Sequence, residues 1–177
     1  MAEEVEVKAR ADLEKVRGKL AELGAVFVGV EEQEDVYFEH PCRSLLAGDE
    51  ALRLRVAGGR AELTYKGPRG PGSAKSRLEV TVPVGDAAAA RALLELLGFR
   101  EAVRVRKRRE LYRLGGVEVA LDTVEGLGTF VELESKGALG ERLVELLELL
   151  GAGEPLRETY AELVAKAARS PARSGSA

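Results

Sequence analysis

Along seven short stretches of this chain, charged side chains recur at alternate positions with apolar residues between them. Glu4-Val5-Glu6-Val7-Lys8 is the first. It is followed by Leu52-Arg53-Leu54-Arg55, Leu63-Thr64-Tyr65-Lys66, Arg77-Leu78-Glu79-Val80, Val105-Arg106-Lys107-Arg108-Arg109, Val119-Ala120-Leu121-Asp122 and Val131-Glu132-Leu133-Glu134. Successive side chains of a strand point to opposite faces, so each stretch has one apolar and one charged face. In one closed sheet whose apolar faces pack outward on helices, the charged faces line a wet tunnel rich in both carboxylates and cations.

The bulk composition fits one soluble domain of 177 residues, 45% apolar and 32% charged. Its 27 basic and 30 acidic side chains nearly cancel to a net charge of −3. No global basic field therefore points to nucleic acid, and any role for charge must be local. Cys42 stands alone, which excludes an internal disulfide framework and a cysteine-based zinc site. A buried or idle thiol in a reducing cytoplasm is expected. No apolar run approaches the ~20 residues of a bilayer crossing and no signal peptide is evident. The expectation is a cytoplasmic protein with no membrane partner.

Asp12 and Gly24 bracket a helix carrying Leu13, Val16, Leu20 and Leu23, and Asp86 and Gly98 bracket a second. Strands are expected over 25–30, 35–38, 51–56, 61–66, 76–82, 102–114, 117–124 and 129–135. Adjacent glycines turn two hairpins, at Gly58-Gly59 and at Gly115-Gly116. Residues 67–72 read as a surface loop or as a flap over a tunnel mouth. A Leu-rich helix from Leu139 to Gly151 and a short one over 158–166 complete a domain at 1–168. The remaining 169–177 cannot bury enough surface to offset ordering entropy and are expected to form a disordered tail.

Glu4 with Glu6, Glu132 with Glu134, and Asp122 on the preceding strand point into the same space. Clustered carboxylates repel one another unless a cation joins them, and hard oxygen donors favour Mg²⁺ or Mn²⁺ over zinc. A second reading pairs these acids with the tunnel's own arginines and lysines, and periodicity leaves both open. Lys8, Arg53, Arg55, Lys66, Arg77, Lys107 and Arg109 give seven inward cations, a density suited to a polyanion such as a phosphate chain. No glycine-rich phosphate loop is present, so side chains would bind it.

Glu4-Val5-Glu6-Val7-Lys8 matches the E-x-E-x-K signature of the CYTH superfamily, the triphosphate tunnel metalloenzymes, and the later blocks resemble that family in order and spacing. They are Leu52 to Arg55, Thr64 to Pro68, Lys107 to Arg109 before Tyr112, Asp122, and Gly126 to Glu134. Asp35 to Pro41 and Glu158 to Leu163 are most similar to the class IV adenylate cyclase group. Where many members carry Glu-x-Glu, this chain has Glu79-Val80-Thr81, one possible ligand fewer.

The resemblance implies an α+β fold, a closed eight-stranded antiparallel β tunnel with helices outside, and a metal-dependent enzyme acting on ATP or another triphosphate. Lys8, Arg53, Arg55, Lys66, Lys107 and Arg109 would act on the phosphates in catalysis, with Arg77 assisting binding. Glu4, Glu6, Glu79, Asp122, Glu132 and Glu134 would hold Mg²⁺ or Mn²⁺. The activity implied first is ATP to cyclic AMP and pyrophosphate. Alternatives are a hydrolase of inorganic or thiamine triphosphate and a non-catalytic nucleotide or polyphosphate binder. Either a monomer or a homodimer is compatible. His40 and Tyr112 read as structural, and Tyr160 as a packing residue able to close one tunnel end.

Overall fold

The computed structural model describes residues 2–70, 75–136 and 140–169; of residues 2–4, 75, 76 and 140 only the backbone is described. Leu139, part of the 67–72 loop and positions 170–177 of the expected tail lie outside that range.

The elements are β1 (Ala2–Arg10), α1 (Leu13–Glu22), β2 (Val26–Glu39), β3 (Ala51–Ala57), β4 (Arg60–Lys66) and β5 (Lys75–Val84). They continue with α2 (Ala87–Leu96), β6 (Arg100–Leu114), β7 (Val117–Val124), β8 (Gly128–Lys136), α3 (Gly140–Leu149) and α4 (Tyr160–Arg169). All eight strands pair antiparallel in one curled sheet. Its order is β1-β5-β4-β3-β2-β6-β7-β8, and β8 pairs in turn with β1. Among the described residues β1 and β5 pair at five positions, whereas β2 and β6 pair at thirteen.

One expectation is corrected. The two strands expected at 25–30 and 35–38 are a single β2. The intervening Glu31, Glu32, Gln33 and Glu34 have low strand propensity, but each lies opposite a cation of β6: Arg109, Arg108, Lys107 and Arg106. Cross-strand charge pairing overrides local preference there.

Alternation sorts the side chains as the pattern requires. The outer residues Val5, Val7, Val119, Leu121, Val131 and Leu133 are buried with Val16 and Leu20 of α1 and Leu143 and Leu147 of α3. A smaller core joins Val36, Phe38 and Leu54 to Leu94 of α2. The Asp12 carboxylate accepts from the Glu14 and Lys15 amides (3.1 and 3.3 Å), and Asp86 from Ala89 (3.0 Å), which starts α1 and α2. Helices do not cover the whole outside, for Leu78, Val80 and Val82 on β5 stay exposed. A third core lies on the lumen side of the sheet, where Val105, Val124, Phe130 and Tyr160 fill one end beneath α4.

Candidate functional site

The inner faces of the strands enclose a cavity of about 530 Å³. Lys8, Arg53, Arg55, Lys66, Arg77, Lys107 and Arg109 all line it, as do Glu6, Glu79, Glu132 and Glu134. Glu4 sits on β1 opposite Arg77 and Lys136, and its side chain lies outside the described residues. Asp122 is brought to the same wall but fully buried.

Each buried charge of the lumen wall is held by a counter-charge on a neighbouring strand. Lys8 and Glu132 face each other across the β1–β8 ladder, 3.3 Å apart at their polar atoms. Arg109 grips both oxygens of Asp122 (2.8 and 2.6 Å) and donates to Glu132 (2.8 Å). Arg55 forms a two-pronged pair with Asp35 (2.7 and 2.8 Å), Lys66 pairs with Glu79, and Arg53 reaches Glu62 at 3.3 Å. The pairing of acids with tunnel cations is thus seen directly, and it occupies both Asp122 oxygens. Glu6 and Glu134 lie opposite each other on β1 and β8, two acids on one rung of the lumen wall.

These contacts set the protonation states. Burial would push Glu132 up, but Arg109, Lys8 and Lys107 hold it well below the usual carboxylate range. Burial would lower Lys8, yet Glu132 and Glu6 keep it above its ordinary value. Lys107 goes the other way: burial and then Arg109 bring it down to about 7, although Asp122 lies 3.6 Å away. Burial, followed by Arg53, also lowers Lys66. The lumen therefore holds cations that an added anion would stabilise.

Tyr160 is more than packing. The chain after α3 is tied to β1, with the Gly153 amide donating to Arg10 (2.9 Å) and that of Leu156 to Lys8 (2.7 Å), and this carries α4 onto the tunnel end. The Tyr160 hydroxyl donates to Asp122 (2.8 Å), and its ring lies 4.2 Å from the Lys8 ammonium and 4.8 Å from that of Lys107. Burial, then Asp122 and Glu132, push this phenol well above its ordinary value, so it stays a donor. His40 has a local role, its Nδ1 accepting from the Cys42 amide (3.1 Å), and Cys42 itself is exposed.

Sequence reasoning missed the contribution of β2. Glu31, Gln33, Asp35 and Tyr37 all line the lumen. Their i, i+2 spacing was visible, and dividing the strand at 31–34 concealed it. Two buried polar atoms in this wall, Gln33 Oε1 and Arg53 Nε, have no hydrogen-bond partner among the described residues. Buried polar atoms are rarely left so unless a ligand or water completes them.

The donors for a metal are hard carboxylate oxygens on adjacent strands, which suits Mg²⁺ or Mn²⁺ in kind. Among the described residues no three acid, histidine or cysteine side chains converge on one point. Glu132 is turned instead to Lys8 and Arg109.

The CYTH domain family matches residues 2–168. The chain belongs to the CYTH family. A Methanocaldococcus jannaschii protein named "Putative adenylate cyclase MJ0240" is 38% identical over 170 residues, covering 90% of this chain and 97% of the relative. "Adenylate cyclase CyaB" of Aeromonas hydrophila is 34% identical over 134 residues, 73% of this chain and 67% of that one. The solved structure of PH1819 from Pyrococcus horikoshii superposes with a TM-score of 0.86 at 38% identity, over 92% of this chain and 98% of the other.

Proposed function

We propose that this CYTH protein is a metal-dependent enzyme acting on triphosphates in a closed tunnel, with ATP conversion to cyclic AMP and pyrophosphate as its activity. One observation carries the triphosphate reading: among the described residues, seven cations and eight carboxylates (Glu6, Glu31, Asp35, Glu62, Glu79, Glu118, Glu132 and Glu134) line a single lumen. A polyanion alone would meet as many repelling as attracting groups. A polyanion that arrives with a divalent cation satisfies both sets. The adenylate cyclase names of the relatives favour the cyclase among the possible triphosphate reactions.

Glu6, Glu132 and Glu134, with Glu4 and Glu79 beside them, would hold Mg²⁺ or Mn²⁺, which supplies charge neutralisation on the phosphates and lowers the pKa of an attacking oxygen. The chain's own cations do the rest. Arg53, whose Nε has no partner among the described residues, and Arg55, Lys66 and Arg77 on one side face Lys8, Lys107 and Arg109 on the other, holding an extended phosphate chain across the lumen. In the cyclase reaction the ribose 3′ oxygen attacks the α-phosphorus, its proton leaves, and pyrophosphate departs with the bonding electrons, stabilised by the same cations. Incubation of the purified protein with ATP, inorganic triphosphate and thiamine triphosphate, in Mg²⁺ and in Mn²⁺, tests this. Cyclic AMP and pyrophosphate in equal amounts are expected from ATP. Release of phosphate from any of the three would make the protein a triphosphatase, and no turnover would leave a binder.

A further inference from the structure

A second cavity, of about 340 Å³, adjoins the tunnel. It lies between the end of β2, the start of β3, the start of β6 and the outer part of α4, and it shares Tyr37, Arg77 and Thr159 with the tunnel as a common wall. We infer that this cavity seats the uncharged organic group of the substrate, a flat heterocycle carried on the triphosphate, while the phosphates lie in the tunnel. The inference rests on the triphosphate reading and adds where the organic group of the substrate is bound.

The chemistry of the two spaces differs. The tunnel wall is charged, whereas this cavity is walled mainly by hydrocarbon from Phe38, Leu46, Leu52, Val103, Ala161 and Ala165. The acids at its edge are already committed. Glu39 accepts from the Leu45 and Leu46 amides (3.0 and 3.1 Å), and Arg69 binds Glu162 (3.0 Å) and Asp49 (2.5 Å). Glu50 is taken by Arg43 and Tyr65. Arg69 also donates to the Arg157 carbonyl (2.8 Å), so its guanidinium is spent on holding the loop after β4 to α4. What remains is an apolar slot of a size that small organic ligands use, about 300–1,000 Å³. A heterocycle would remove its apolar surface from water there.

The shared wall fits the junction of such a substrate. Arg77 touches both cavities, so one cation meets the first phosphate beyond the organic group. Tyr37 also belongs to both. It is placed to meet a hydroxyl of the linking sugar.

The test fills the cavity from two sides without touching the tunnel. Ala165→Phe on α4 and Ala102→Phe on β6 each add a ring to its wall, and neither residue lines the lumen. Binding of tripolyphosphate and of α,β-methylene-ATP, each with Mg²⁺, is measured by calorimetry on wild type and on both folded variants. The expected result is a loss of about tenfold or more for the ATP analogue and a change within about twofold for tripolyphosphate. Unchanged affinity for both ligands, or an equal loss for both, overturns the inference. Failure of wild type to bind tripolyphosphate at all would instead overturn the triphosphate reading itself.

Discussion

Arg55 shows what a lumen charge does within the protein itself. Its guanidinium is clamped on the buried Asp35 carboxylate, whose pKa lies below the usual range because Arg55, helped by Arg53 and Lys107, outweighs the cost of burial. Sequence patterning marked Arg55 as a cation suited to a phosphate chain, and the structure gives it a second duty, the pairing of a buried acid. Arg55→Ala strands a buried carboxylate and should cost about 3 kcal/mol in urea unfolding, with stability recovered in Arg55→Leu/Asp35→Leu. Wild-type stability in the single variant would remove Asp35 as its partner. Glu6→Gln keeps size and deletes the charge a metal needs, so turnover should fall by about a hundredfold or more while the chain still folds. Unchanged turnover would sink the metal assignment.

At the scale of elements, charge also joins helices to the barrel. Arg17 of α1 donates through two nitrogens to Glu110 of β6 (2.9 and 3.0 Å), and Arg108 adds a third contact (2.6 Å). The Arg17 hydrogen bond, opposed by burial and aided by Arg108, brings Glu110 down to about 2, below its ordinary 4.5. On acidification the unfolded chain takes up this proton first, so the stability from the pair is complete above the ordinary value and is lost as pH falls through about 2. Wild type should exceed Glu110→Gln by about 1 kcal/mol near neutrality. Denaturant titrations should show that margin closing between about pH 5 and about pH 2. A margin that widens on acidification would contradict the pairing.

For the whole molecule, the balance of seven cations against eight carboxylates among the described lumen residues means that the tunnel's own charges compensate one another rather than merely repel. A ligand must therefore replace both kinds of partner. Triphosphate with Mg²⁺ at a hundredfold above its dissociation constant should stabilise the fold by about 2.7 kcal/mol, several degrees in melting temperature for a domain of this size. The same triphosphate with excess chelator should give a much smaller shift, and orthophosphate little in either condition. Equal shifts with and without the metal would show that the acids take no part.

Alternation along single strands was enough to assign all seven lumen cations and the acids Glu6, Glu79, Glu132 and Glu134 to one face, because strand geometry forces every second side chain the same way. Local periodicity, at helical spacing and with the caps at Asp12 and Asp86, also located three of the four helices closely. It was weaker where local and long-range preferences disagree. Glu31 to Glu34 look unlike a strand until β6 supplies four cations opposite them, and that pairing depends on register between segments some 70 positions apart. Tertiary structure alone decided that Asp122 is consumed by Arg109 and Tyr160, that Asp35 is the partner of Arg55, and that α4 fills one tunnel end while helping to wall a second cavity. Such facts are distances between side chains from separate elements, and the sequence fixes them only through the packing of the whole sheet.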